Sequence, residues 1–155
     1  MRRLRGFTLI ELLVVIVILA ALAVIVFVAL NPLKRTQDAR DARRATDVAS
    51  ILTAIHISTV DSKGSLPTGL STGMAETQIG TAGSGCAISS GGCNASVAAC
   101  LDLTSALPKY LKSIPIDPSI GSADKTGYTV AIDSNNIVTV RACGTEGSTN
   151  ILQSR

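Results

Sequence analysis

Hydrophobicity along the chain has two regimes. From Phe7 to Leu30 there are 24 consecutive residues with one ionisable group, Glu11. At about 1.5 Å per residue, a helix of that length reaches ~36 Å and can cross a hydrocarbon core of ~30 Å. From Leu33 to about Val60 the apolar positions become periodic. Val48, Ile51, Leu52, Ile55 and Thr59 recur at three- and four-residue steps, which predicts a second, amphipathic helical stretch. Asn31-Pro32 separates the two and predicts a kink, because proline removes an N–H and disfavours helix at the residue before it. Asp61-Ser62-Lys63-Gly64-Ser65-Leu66-Pro67 ends the helix. Thr68 to Ala99, rich in Gly, Ser, Thr and Ala, reads as a long surface loop. Cys100 to Tyr110 reads as a short amphipathic helix interrupted near Pro108. Tyr128–Ile132 and Ile137–Arg141 alternate around Asp133-Ser134-Asn135-Asn136 and predict a hairpin. The tail after Gly144 is polar and is expected to be mobile. The class is α+β: a long N-terminal helix, its first half transmembrane, packed through its second half on a small antiparallel sheet.

Glu11 is the anomaly of the first regime. A carboxylate at mid-bilayer costs about 2.5–3.5 kcal/mol on insertion scales, less near the interface, so a partner is expected for it. A short basic leader, Gly6 and then Phe7-Thr8-Leu9-Ile10-Glu11-Leu12-Leu13-Val14-Val15 resemble the class III leader of type IV pilins and pseudopilins. The resemblance implies cleavage by a membrane aspartyl peptidase between Gly6 and Phe7, on the cytoplasmic side. It also implies methylation of the new Phe7 amine by the same enzyme. Such an amine has an ordinary pKa near ~8 and is cationic. The Phe7 amine of a neighbouring subunit, or the chain's own, can neutralise Glu11. A buried pair of this kind adds little net stability but can fix register, which makes Glu11 a candidate for setting subunit stagger. Two other readings of the span are a plain signal anchor with a snorkelling Glu and a secretory signal peptide. The latter has a shorter apolar core, with its cleavage site after the core. Pilins often carry Gly or Pro inside the span; this span has neither.

The resemblance divides the chain into a cytoplasmic leader (1–6), a transmembrane and assembly helix (7–30) and an extracytoplasmic pilin-like domain (31–155). The last comprises a helix continuation (31–61), a variable loop (62–99), a short helix and hairpin (100–143) and a tail (144–155). Removing Arg2, Arg3 and Arg5 takes 14 basic residues to 11, against 11 acidic ones. The formal +3 is therefore a leader effect and does not indicate a nucleic-acid partner. Basic residues flank the span on both sides, so charge leaves orientation open. Four cysteines beyond the span, together with the resemblance, place the C-terminal part outside. Helical spacing pairs Arg35 with Asp38, Asp41 with Arg44, and Arg43 with Asp47. These read as a solvated face or, through Arg40, Arg43 and Arg44, as contacts to lipid headgroups and then to acidic neighbours.

Cys86, Cys93, Cys100 and Cys143 are disulfide candidates. Four cysteines allow three pairings, and spacing does not decide among them. Cys86–Cys93 and Cys100–Cys143 are favoured here, the first closing a small loop, the second tying the helical region to the last strand. Zinc is disfavoured by the six-residue gaps. Some major pseudopilins bind calcium, but Asp117, Asp124 and Asp133 are scattered and read as solvated loop charges. His56 is assigned no site. Asn94-Ala95-Ser96 fits a common glycan acceptor pattern. No catalytic constellation, metal motif or cofactor motif is found, and an enzyme is not expected. Leu111-Lys112-Ser113-Ile114-Pro115-Ile116-Asp117-Pro118, followed by Gly127-Tyr128, is similar to a run in major pseudopilins.

The resemblance thus implies a structural subunit of a type IV pilus-like filament, matured by prepilin peptidase/methyltransferase and assembled through its apolar helix. The alternatives are a pseudopilin of a type II secretion system and a signal-anchored surface binding protein that never assembles. Implied partners are the peptidase, identical or homologous subunits, membrane lipid and, indirectly, an assembly ATPase. The implied location is the cytoplasmic membrane, single-pass, and later an extracellular or periplasmic filament.

Overall fold

A computed structural model describes residues 6–147 and 150–155; the leader residues Arg2, Arg3 and Arg5 lie outside it. The chain divides into two compact units, Met1–Thr36 and Gln37–Arg155.

The first unit contains α1, Leu9–Leu30. Thr8 caps it, and Asn31 closes it in the left-handed conformation (φ 39°). None of its residues is buried. Burying a large aliphatic side chain stabilises by about 1.5–3 kcal/mol, and α1 gains none of this within its own chain. Helix α2, Pro32–Asp61, begins directly afterwards. Proline suits a first helical position, and the Asn31 side chain accepts from the Lys34 N–H at 3.3 Å. The helix stops where Lys63 and Gly64 take positive φ and the Gly64 N–H donates to the Thr59 carbonyl at 2.8 Å.

In the second unit, α2 buries Asp41, Arg44, Val48, Ile51, Leu52, Ala54, Ile55 and Ser58, all on one face. The sheet has four antiparallel strands in the order β1-β2-β3-β4: Thr77–Gln78, Tyr128–Ile132, Val138–Ala142 and Ile151–Ser154. Tyr128, Val130 and Ile132 lie opposite Ala142, Val140 and Val138, and all six are buried in the core with the α2 face. The expected hairpin is present; its loop is held by Asp133, whose Oδ1 accepts from the N–H groups of Asn135 and Ile137 at 2.8 Å each.

Three expectations change. Residues 100–110 form successive turns, not a helix. Leu103 and Leu107 keep helical spacing and are buried, and Leu107 N–H donates to the Leu103 carbonyl. Pro108 has no N–H to continue the ladder. The tail contains β4, which pairs with β3 through backbone bonds that need no apolar alternation. The 68–99 segment is not only surface. It supplies β1 and buries Leu70, Ile79 and Ala95; its Glu76 accepts from the Thr129 hydroxyl on the sheet at 2.6 Å.

Candidate functional site

At the front of α1, Gly6, Phe7 and Thr8 are non-helical, and Phe7 is 87% exposed. Thr8 has extended backbone, with φ −84° and ψ 154°. Three residues on, Thr8 and Glu11 form a reciprocal capping box. Glu11 Oε2 accepts from the Thr8 N–H at 2.8 Å and from the Thr8 hydroxyl at 2.7 Å, while the Glu11 N–H donates to Thr8 Oγ1 at 3.3 Å. Within the single chain the carboxylate is therefore satisfied by its own helix start. The Thr-x-x-Glu spacing announces this box in the sequence, beside the expectation of an amine partner.

The charged site of the second unit is Arg44, with 0% side-chain exposure. Its Nε donates to Asp117 Oδ2 at 2.7 Å and its Nη2 to Asp117 Oδ1 at 3.0 Å, a bidentate pair. Nη1 donates to Asp41 at 2.8 Å, and Nη2 also reaches Ser119 Oγ at 2.6 Å. Glu146 stands 3.7 Å from the same guanidinium and accepts from Arg40 at 2.8 Å. The backbone N–H groups of Glu146 and Gly147 close on Asp41. Burial alone pushes the Asp117 carboxyl up. Arg44 and the N–H groups of Ser119 and Ile120 outweigh it and hold the carboxyl below the ordinary range. Hydrogen bonding to Asp117 and Asp41 keeps Arg44 charged despite its burial. Two glycines permit this packing. A Cβ at Gly144 would stand 2.6 Å from Asp117 Oδ2, and Gly127 (φ 80°) would place one 2.8 Å from Asp117 Cβ. Nearby, burial and the hydrogen bond to Asp47 raise the Tyr128 hydroxyl's pKa; that O–H donates to Asp47 at 2.7 Å.

These contacts correct two readings. Asp117 is not a solvated loop charge, and Arg44 is buried and out of reach of headgroups or neighbours, while Arg40 is partly exposed and paired with Glu146. Arg43 alone of the three fits the solvated-face reading, at 61% side-chain exposure and 3.7 Å from Asp47. His56 is half-buried, with no partner at Nε2 among the described residues.

The favoured cysteine pairing is also overturned: the bonds are Cys86–Cys100 and Cys93–Cys143. The segment folds back on itself, with Cys86 N–H donating to the Ala98 carbonyl and Cys100 N–H to the Ala82 carbonyl. That sets Cys86 opposite Cys100 and leaves Cys93 at the far end of the loop. There the Ser90 hydroxyl donates to the Cys143 carbonyl at 2.9 Å, bringing Cys93 to the end of β3. On the chain-entropy model the two closures are worth about 3 and 4 kcal/mol respectively.

Residues 1–27 match the family model described as the prokaryotic N-terminal methylation motif. No curated protein and no solved structure matches the chain. The first 27 residues thus carry the class III leader of type IV pilins and pseudopilins, a leader of structural subunits rather than enzymes, on a chain with a pilin-like α+β fold.

Proposed function

We propose that this protein is a filament subunit of the type IV pilus kind. It is cut between Gly6 and Phe7, methylated at Phe7, and held in the cytoplasmic membrane by α1 with residues 31–155 outside. It is then drawn into a filament in which α1 helices cover one another. The observation that carries this reading is an apolar 22-residue helix that buries none of its residues and lies mostly within the methylation motif of residues 1–27. In the filament, Glu11 exchanges its Thr8 contacts for the Phe7 amine of a neighbour and so sets the stagger. Mass spectrometry of the membrane-associated protein tests the processing: the expected N-terminus is methyl-Phe7. Recovery with Met1 still attached supports an unprocessed signal anchor and contradicts the proposal. Glu11→Ala is expected to lower assembly strongly; wild-type assembly by this variant contradicts the register role.

A pseudopilin of a secretion machine is the second reading. The Asp117-Pro118 run followed by Gly127-Tyr128 favours it. Surface fibres on producing cells support the pilus; a secretion defect without fibres on deletion supports the pseudopilin.

A further inference from the structure

Among the five basic side chains of α2, two differ in their surroundings from the other three. Arg40 and Arg44 are taken up by Glu146, Asp41 and Asp117, and Arg43 faces Asp47. Lys34 and Arg35 are exposed, and neither has a carboxylate within ion-pair distance among the described residues. Both lie about one helical turn beyond Leu30, the last residue of α1, and the intervening Leu33 is 68% exposed. The 22 residues of α1 extend about 33 Å, close to the ~30 Å of a hydrocarbon core. With α1 in the bilayer, Lys34 and Arg35 therefore fall in the headgroup layer. Arg35 is also fixed there: its Nε donates to the Leu30 carbonyl at 3.0 Å, which leaves its two terminal amino groups for an anion.

We infer that Lys34 and Arg35 form a binding site for the phosphate groups of anionic phospholipid at the outer surface of the membrane. The inference rests on the proposed membrane-spanning role of α1. Phosphate is the chemistry matched by a planar guanidinium beside an ammonium. Each basic side chain near an anionic surface favours association roughly fivefold. A lipid rather than a protein acid is the occupant, because the apolar helix places the pair at headgroup depth before any neighbouring subunit is present. The contact has to be given up when the subunit leaves the bilayer, so the site retains unassembled subunits in the membrane.

The test uses the full chain in nanodiscs holding equal amounts of phosphatidylcholine and phosphatidylglycerol. Native mass spectrometry then reads which lipid stays bound. The wild type is expected to retain phosphatidylglycerol about tenfold or more over phosphatidylcholine. Lys34→Gln with Arg35→Gln is expected to lose the preference, and Lys109→Gln with Lys112→Gln to keep it. Equal retention by the wild type, or an undiminished preference in the first double variant, overturns the site. Displacement of the lipid by millimolar inorganic phosphate also overturns it, because the pair then selects a free anion. Carbonate extraction separates this result from the underlying reading. Wild type and variant should both stay in the membrane pellet; release of the wild type contradicts the membrane span itself.

Discussion

Helices α1 and α2 follow one another with a single residue between them, yet they obey opposite rules. Over 22 residues α1 buries no side chain; over 30 residues α2 buries eight, two of them charged. The difference is in pattern, not in propensity. An all-round apolar helix has no preferred face and needs a surrounding medium, whether lipid or copies of itself. A helix with one apolar stripe needs a single partner surface, and α2 finds it in Tyr128, Val130, Ile132, Val138 and Val140. Of the two helices, α2 therefore contributes to the stability of the folded domain, and α1 contributes no burial to it.

The strongest way to break this contrast is through the buried charge on α2. Arg44→Met strands Asp117 without its partner, and a loss of about 3–5 kcal/mol is expected in denaturant unfolding of the detergent-solubilised chain. Acid sharpens the same point. The folded-state pKa of Asp117 lies below its unfolded value, so its contribution is complete above about pH 4. It is lost as pH falls through the lower folded value. Unfolding midpoints should drop in that window for the wild type, and the drop should be smaller in the Arg44→Met variant.

The disulfides come next. Replacing Cys93 and Cys143 by serine is expected to cost about 4 kcal/mol, and replacing Cys86 and Cys100 about 3 kcal/mol. Only the first removal should speed hydrogen exchange at Glu146 and Gly147, whose N–H groups reach Asp41 just beyond Cys143. Ile51→Val, on the buried face of α2, should cost about 0.5–1.5 kcal/mol. Ile16→Val, on α1, should change domain stability by less than about 0.5 kcal/mol. The smallest effect belongs to Arg43→Gln, whose 3.7 Å pair with Asp47 is exposed at the Arg43 end and is worth at most a few tenths of a kcal/mol, on the order of surface pairs.

What could be read in advance follows physical range. The span, the α2 stripe and the β2–β3 hairpin are local patterns, visible in Phe7–Leu30, in Val48 to Ile55 and in the alternation of Tyr128–Ile132. The Thr8–Glu11 box is also local, written in a three-residue spacing. Arg44 and Asp117 are 73 positions apart, and nothing near either announces the other. Leu103 and Leu107 carry a helical spacing that a proline keeps to single turns. Ile151–Ser154 lack alternation, so β4 is visible only through the strand it pairs with. Which cysteine meets Cys143 depends on how residues 82–100 fold back, a matter of backbone path that spacing does not encode.

The contrast between the helices can be put to one experiment. A photoreactive side chain is placed at Val17 of α1 or at Ile51 of α2, and membranes and filaments from producing cells are irradiated. The account predicts dimers and higher ladders of this same chain from Val17 and only internal products from Ile51. A Val17 probe that captures lipid alone, with the protein remaining a single chain in every fraction, contradicts it.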